Sequence, residues 1–591
     1  MGEKIVAVIG ARLNSSRLPR KQLLPLAGTP MIEHIVRRLS CVSNIDEIVL
    51  ATTADAYNHD LVAWAEDAGV KCYAHKGDVN DLVGRIDSVV KAQSADILVY
   101  ICGDSPLIEP STIETLLRTL IDAPKADWTR MVELPEGQAY IHEGFAIYRR
   151  GFWDKMVQAA VEPFEKEHVG AVFHVLEKIM PAATAYAQES SVYHSIDHRI
   201  SVDTPSDYDF MCRIYDDWYA GHDAATIVDL RWVINRLHAE PDLRAINAHV
   251  RQKAVAEENC KIILFTQADG ETGLGHLRRM TVAAQQLQDH LAASVRIVIM
   301  GEKQQLSWLD MLPHEWRPVG TMTDVFAELC EEAPFAMLLD FKALDETLLT
   351  AIGHMRGQGT KFIAIDAITD NDCFDGYYVP CFYVAEHHKT SLKERLAYGW
   401  ASYLLHPLNG GMPSDQSATG NRLIVLTGSG DYYGLGQQWP QMLDAALPQD
   451  VAITWVQGPY AQTPDFNEVS SKRQFTVVKD PSDLPDLIAQ HTLALSVYGV
   501  SFFECLQARL PTVAYVPGKL AETTEFTLLQ AEKVCLQARD AGESVAMLAD
   551  LVEADTERTR LTATCSELWS KRTKEPPLIT LLNHLNRAVA A

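Results

Sequence analysis

Ile5-Val6-Ala7-Val8-Ile9-Gly10-Ala11-Arg12-Leu13-Asn14-Ser15-Ser16-Arg17-Leu18-Pro19-Arg20-Lys21 is an apolar, β-branched run that breaks abruptly into a small, polar and cationic loop. The run is too short to be a secretory h-region and stops at Arg12 with no cleavage-site pattern. No stretch of about 18 apolar residues follows anywhere, so the chain reads as soluble, with no membrane insertion. The same kind of run recurs at residues 48–51 and 97–101. Between the runs, helical patterns cover residues 31–39, 60–68 and 81–92. Strands alternating with amphipathic helices predict a parallel α/β sheet. Local signals agree: Thr29-Pro30 as N-cap and first-turn proline, Gly69 as a helix stop, and Ser111-x-x-Glu114 as a capping box.

The chain has 591 residues, so several domains each bury a core. Residues 231–260 read as charged, Ala-rich helix without a strand, and the strand pattern restarts at residues 261–265, 295–300, 336–340 and 361–366. A Gly/Ser/Pro/Asn-rich stretch at 409–421 precedes another strand at 422–427. The expected organisation is a first domain at 1–245, a linker at 246–259, a lobe at 260–408, a second linker at 409–421 and a final lobe at 422–591. Acids outnumber bases 78 to 52, a net charge of -26 that argues against a nucleic-acid partner. The 11 cysteines are odd in number, scattered and never spaced C-x-x-C, which fits a reducing cytoplasm.

Arg12, Arg17 and Lys21 fall at the carboxyl end of the first strand, where open α/β sheets bind ligands. Two guanidinium forks and an ammonium suit the oxygens of a nucleoside triphosphate and the charge of a departing pyrophosphate; a solvated basic loop is the plainer alternative. Asp104 follows the strand at 97–101 on a Gly-Asp-x-Pro-Leu turn, and Asp203 stands in Val-Asp-Thr-Pro. Two carboxylates brought to one cleft can hold Mg²⁺, a hard cation that bridges phosphates; singly, each also suits a turn or a helix cap. Glu165, Glu167 and His168 lie in a helical stretch that also reads as a solvated acidic face.

Together these segments resemble the cytidylyltransferases that activate sialic-acid-like and related acidic sugars, in particular the SpsF-type branch. The resemblance rests on Arg12, Ser15, Arg17 and Lys21 of the loop, on residues 26–31, on the Asp104 turn, on residues 165–169 and on residues 202–207. It implies a Rossmann-like, GT-A-like nucleotidyltransferase domain that binds CTP over Arg12, Ser15, Arg17 and Lys21. It further implies catalysis by Arg12 and Lys21, Mg²⁺ on Asp104 and Asp203, an acidic sugar beside Glu165, Glu167 and His168, and a homodimer through this domain. Gly is usual in that family where Asn14 and Arg20 stand; Arg20 is expected to reshape the loop or add a phosphate contact.

In the later part, Gly273-Leu274-Gly275-His276 puts a histidine at a helix start, where a positive helix end disfavours the imidazolium and leaves a proton acceptor; a simple helix cap is the alternative. Gly428-Ser429-Gly430-Asp431 offers backbone amides to a diphosphate. Ser501 and Glu504 follow the strand at 493–497, and such a glutamate accepts from both ribose hydroxyls. The set Gly-x-Gly-His-x-x-Arg, Gly-Ser-Gly-Asp and Ser-x-x-Glu-Cys-Leu resembles the UDP-sugar hydrolases of pseudaminic acid synthesis and the SpsG-type proteins. That resemblance implies a two-lobed GT-B-like fold, UDP on Gly428, Ser429, Gly430, Ser501 and Glu504, and His276 assisting attack of water on a UDP-sugar. The expectation is a bifunctional cytoplasmic enzyme serving nonulosonic acid synthesis, with a glycosyltransferase or a binding module as alternatives for its C-terminal half.

Overall fold

Strand Ile5–Gly10 is buried on both faces, as an unbroken apolar run requires. It pairs in parallel with Glu47–Thr53 on one side and Ile97–Cys102 on the other, with Gly10 in register with Ala51 and Cys102. The computed structural model describes residues 2–252, 260–270, 272–369, 372–408, 420–469, 473–481, 483–570 and 575–590. Two compact units account for the chain, one of residues 1–259 with 288–292 and one of residues 260–287 with 293–591.

The sheet of the first unit runs, edge to edge, Lys71–His75, Glu47–Thr53, Ile5–Gly10, Ile97–Cys102, Phe145–Arg149, Trp128–Met131, Thr184–Ala187. Its first four strands are parallel, as expected, but Phe145–Arg149 runs antiparallel to both its neighbours, so the sheet is mixed. The order reverses between Ile5–Gly10 and Ile97–Cys102, which opens a crevice at their carboxyl ends. Helices Met31–Leu39 and Pro110–Asp122 pack on one face around Ile32, Ile35, Ile113 and Leu117, while Leu82–Gln93 packs on the other through Ile86 and Val90.

Three local expectations are corrected. Thr29–Pro30 forms a short antiparallel ladder with Pro25–Leu26 and does not cap the helix that begins at Met31. The helix Pro110–Asp122 is capped by Glu109, which accepts from Ser111 N, while Glu114 turns away to accept from Ser43 N and Oγ at 2.9 and 2.8 Å. The linker expected at 246–259 starts later, because Asn247 is buried and donates to Arg199 O and Asp207 Oδ1 at 3.2 and 3.0 Å; residues 253–259 lie outside the described residues.

The second unit contains two further sheets, both wholly parallel. One runs His314–Arg317, Ser294–Met300, Lys261–Gln267, Ala336–Asp340, Lys361–Ile365, Gly376–Tyr378, Leu396–Ala397. The other runs Phe475–Lys479, Ala452–Gln457, Arg422–Leu426, Leu493–Val497, Thr512–Tyr515, Leu536–Ala538. Each reverses its order beside its own first strand, so the unit is a pair of doubly wound lobes of GT-B-like plan. The lobes do not follow chain order to the end. Helix Pro577–Ala590 packs on the first lobe, with Leu581 and Leu585 beside Gly376, so residues 422–591 are not all second lobe. The linker expected at 409–421 lies, through residue 419, outside the described residues. Among the described residues no helix is long and apolar enough to cross a membrane.

Arg38 shows how packing fixes the crevice of the first unit. Its guanidinium, 1% exposed, donates to Ile108 O and to Val228 O (2.5 Å) and pairs with Glu109 at 3.3 Å. It thereby ties helix Met31–Leu39 to the turn that carries Asp104. Arg38→Met leaves two buried carbonyls and a carboxylate without their partner, and should cost about 3 kcal/mol of stability in urea unfolding; unfolding at the wild-type midpoint would contradict this account.

Candidate functional site

The loop after Ile5–Gly10 is closed by Arg20 N donating to Leu13 O at 2.8 Å, with Arg20 in the left-handed region at φ 59°. Its guanidinium reaches Asp60 at 2.7 Å, so its charge is spent on helix His59–Asp67, while its backbone holds the left-handed conformation that a glycine takes readily. The turn delivers Lys21 inward. Its ammonium, nearly buried, donates to Asp104 Oδ2 at 3.0 Å, to Asp203 Oδ1 at 2.8 Å and to Val202 O at 2.8 Å. Asp104 gets there because Gly103 hugs the first strand: Gly103 N donates to Gly10 O at 3.0 Å, and a Cβ on Gly103 would stand 2.7 Å from that of Ala11. Asp203 arrives just before helix Pro205–Tyr219, whose start is locked by a reciprocal Thr204–Asp207 capping box, and Val202 N bonds Asp104 O at 2.8 Å.

Three cations converge on Asp203: Lys21, Arg17 at 3.0 Å and Arg199. Burial by itself would raise the Asp203 pKa, but these charges outweigh it and hold the carboxyl far below the usual range. Burial likewise pulls Lys21 down, and Asp104 with Asp203 more than restores it, so Lys21 stays charged. Arg199 also pairs with the buried Asp207 at 3.1 Å. Arg85 supports the loop's start by donating to Ala11 O at 3.2 Å; burial brings it down to about 10. Among the described residues, Arg17 Nη1 and Asn14 Oδ1 are buried with no protein partner, as expected of a loop shaped for a polar ligand.

Arg12 donates to Val79 O and Asn80 Oδ1 at 3.0 and 2.7 Å, and its other nitrogen lies 3.5 Å from Glu167. Ser15 Oγ accepts from Leu18 N at 3.3 Å. Helix Pro163–Glu167 thus presents Glu167 to the loop, whereas Glu165 is turned inward. Glu165 accepts from Val161 N and Glu162 N at 2.8 and 3.1 Å and pairs with Lys178, so hydrogen bonds from Lys178, Val161 and Glu162 hold its pKa down at about 2. Glu167 stays exposed on a solvated face, as the charges also allowed, whereas the carboxylate of Glu165 is buried and committed to the helix cap. His168 follows it, its ring 5.1 Å from that of Phe164.

Among the described residues, no cluster of three or more His, Cys, Asp or Glu side chains is arranged to hold a metal. The Asp104–Asp203 pair instead fits the habit of Mg²⁺, which takes one or two carboxylates and draws its other ligands from nucleotide phosphates and water. The ammonium already seated between the two carboxylates marks the point as one that accepts positive charge.

In the second unit, His276 opens helix Gly275–Leu291, at the carboxyl end of Lys261–Gln267. Its Nδ1 lies 2.6 Å from Oδ1 of Asp340, the fully buried last residue of the adjoining strand. Arg279 Nη2 also lies 2.8 Å from this Nδ1, so Asp340 and Arg279 together fix the orientation of the ring and leave Nε2 away from both. Arg279 grips both oxygens of Asp340, at 2.5 and 2.6 Å, and reaches Asp366 at 2.7 Å. Burial would raise the Asp340 pKa, but Arg279 and His276 bring it below the ordinary range.

Close to this dyad, loops of both lobes enclose a cavity of about 310 Å³, lined by Leu274, Gly275, Gly428, Ser429, Ser501 and Glu504 among others. Ser429 Oγ accepts from Leu274 N at 3.2 Å across the cleft. Gly430 is not part of the lining and stands against the Tyr432 ring, and Asp431 spends its carboxylate on Leu435 N and Gly436 N at 2.9 and 2.7 Å. Glu504 is buried, and that burial pushes it up to about 7, with Arg278 opposing and Asp483 adding to the rise.

Arg85, Arg199, Asp207, Asp340 and Arg278 were not singled out as site residues by sequence reasoning. Arg199 stands four residues before Asp203, a pairing distance that could have exposed it; Asp340 ends a strand and gives no local sign of its partner.

Residues 6–217 match the family model described as Cytidylyltransferase. The chain is 26% identical over 254 residues to an uncharacterized protein of Methanocaldococcus jannaschii, covering 43% of this chain and 98% of that one. It is 36% identical over 121 residues to the 3-deoxy-manno-octulosonate cytidylyltransferase of Escherichia coli, covering 20% of this chain and 48%, about half, of that enzyme. A structural likeness to Phytolacca americana UGT2, solved with UDP-2fluoro-glucose and pterostilbene, has 12% identity and a TM-score of 0.39, and covers 56% of this chain and 100% of that one. The N-terminal part of the chain thus carries a cytidylyltransferase domain.

Because Glu504 is raised in the folded state, its contribution to stability is intact below the ordinary carboxylate pKa and is lost as pH rises toward about 7. Glu504→Gln, which mimics the protonated form, should melt with wild type at pH 4 and be more stable by about 3 kcal/mol at pH 8. Equal stabilities at pH 8 would contradict the burial argument.

Proposed function

We propose that the N-terminal unit transfers CMP from CTP to an acidic keto sugar of the octulosonate or nonulosonate type, and that the C-terminal unit hydrolyses a UDP-linked amino sugar. The observation that carries the first half is the Lys21 ammonium held between Asp104 and Asp203, beside Arg17, at the crevice of the sheet. The named substrate of the Escherichia coli relative supports an acidic sugar as acceptor.

In the proposed reaction a sugar hydroxyl attacks the α-phosphorus of CTP. The new bond joins that phosphorus to the sugar oxygen, the bond to the β-phosphate breaks, pyrophosphate leaves, and the hydroxyl proton passes to solvent. Arg12, Ser15, Arg17 and Lys21 bind the triphosphate and meet the charge that develops on the leaving group. Asp104 and Asp203 would hold Mg²⁺, which supplies further positive charge against the phosphates. Glu167 and His168 flank the sugar side of the loop, and Glu165 stiffens the helix that presents them. Fixed positions for these groups contribute as much as their charges.

In the second unit His276 Nε2 would take the proton of the attacking water while Asp340 holds the ring in place. Ser429, Ser501 and Glu504 would hold the nucleotide, and free sugar and UDP would be released. The dyad serves a sugar hydroxyl as well as water, so the acceptor is decided by experiment. Serial action on one pathway, with a separate condensing enzyme between the two steps, gives the fusion a purpose.

With CTP, Mg²⁺ and a panel of eight- and nine-carbon keto acids, wild type should release pyrophosphate with at least one acid. Lys21→Ala should lose about 10²–10³-fold in kcat. No pyrophosphate with any acid would remove the assignment. With radiolabelled UDP-sugars, wild type should give free sugar, and Asp340→Asn should lose rate with little change in KM. A product that forms only when a sugar acceptor is added would make the unit a transferase.

A further inference from the structure

We infer that Arg278 makes the cavity of the second unit selective for a nucleoside diphosphate over a nucleoside monophosphate. This rests on the proposal that the cavity takes a nucleotide sugar, and goes beyond it by naming the residue that counts phosphates.

Arg278 and Arg279 are neighbours on helix Gly275–Leu291 with different fates. Arg279 is consumed by Asp340 and Asp366. Arg278, a third of a turn away, lines the cavity, and its guanidinium carbon lies 3.9 Å over the Trp308 ring. Its hydrogen bond to Pro481 O is long, at 3.5 Å, and among the described residues no carboxylate lies within 4.0 Å of it. Glu504, Asp480 and Asp483 act on it only from beyond ion-pair distance, so none of them occupies its N–H groups, and stacking on an indole leaves those edges free for a bidentate anion.

The rest of the cavity points to the same ligand. Thr427 Oγ1 and Gln457 Oε1 line it, are buried, and have no partner among the described residues. Two acids line the cavity, Asp480 and Glu504; burial raises both, Glu504 to about 7, so each repels an anion less than an ordinary carboxylate would. A nucleoside held by the loops after Arg422–Leu426 and Leu493–Val497 carries its first phosphate near Gly428 and Ser429. A second phosphate then extends toward the other lobe, where Arg278 is the cation in the lining. The CMP-linked product proposed for the first unit has one phosphate and would be a poor ligand here, so the two sites would not compete for it.

The test is calorimetric titration of the full chain with UDP and with UMP. Wild type should bind UDP about 30-fold more tightly than UMP. Arg278→Ala should lose about that factor for UDP and less than about 3-fold for UMP, and Arg278→Lys should fall between, keeping charge without the fork. Arg278→Ala binding UDP as wild type does, or losing UMP and UDP equally, would overturn the inference while leaving the nucleotide-sugar reading intact. Wild type binding neither nucleotide would defeat that reading and the inference with it. If Arg278→Ala fails to fold by circular dichroism, Arg278→Lys carries the comparison: a loss confined to UDP supports the inference, and no loss for UDP overturns it.

Discussion

A single ammonium, that of Lys21, is shared by two carboxylates that stand 99 residues apart in the chain, and the architecture of the first unit is what makes this meeting stable. Two half-buried acids this close would repel each other if left without a countercharge. Lys21, Arg17 and Arg199 remove that pressure, and Val202 N on Asp104 O fixes the spacing of the two segments through the backbone. Everything upstream serves this point. The buried central strand sets the sheet, Gly103 lets the Asp104 turn lie against the first loop, and the Thr204–Asp207 box stops helix Pro205–Tyr219 where Asp203 is needed. In the proposed reaction phosphate oxygens would replace the carboxylates around the cations, and a divalent ion would replace the ammonium between the carboxylates.

The second unit divides comparable labour between two sheets of the same strand order. The crevice of the first lobe holds a histidine oriented by a buried aspartate, and that of the second offers glycine-rich backbone, Ser429 and Glu504. Arg279 and Arg278, adjacent on one helix, serve the two tasks separately: one locks the dyad, and the other faces the cavity. A one-residue step along a helix changes direction by about 100°, which is enough to send two like charges into different environments.

Much of this was legible in the sequence. Alternating apolar runs placed the central strands of each sheet but missed Lys71–His75 and most outer strands of the later two sheets, such as Ala452–Gln457 and Thr512–Tyr515; of the first loop's cations, Arg17 and Lys21 meet Asp104 and Asp203 in space. Gly428, Ser429, Ser501 and Glu504 line one cavity as expected from their places after two strands. What stayed hidden depends on long-range packing. Glu165 looked like part of a charged helical face, yet its own capping box and Lys178 draw it inside. Glu114 looked like a cap partner and was claimed by Ser43. The antiparallel Phe145–Arg149 carries no local mark of its direction, and the return of helix Pro577–Ala590 to the first lobe depends on a groove beside Gly376 that no short segment reveals.

The most direct measurement on the central cluster is diffraction from crystals of the full chain grown with CTP and Mn²⁺, read by the anomalous signal of the metal. The account predicts one peak within bonding distance of Asp104 and Asp203, with Lys21 and Arg17 turned onto the triphosphate. A bound triphosphate with the metal elsewhere, and Lys21 still on both carboxylates, would contradict it.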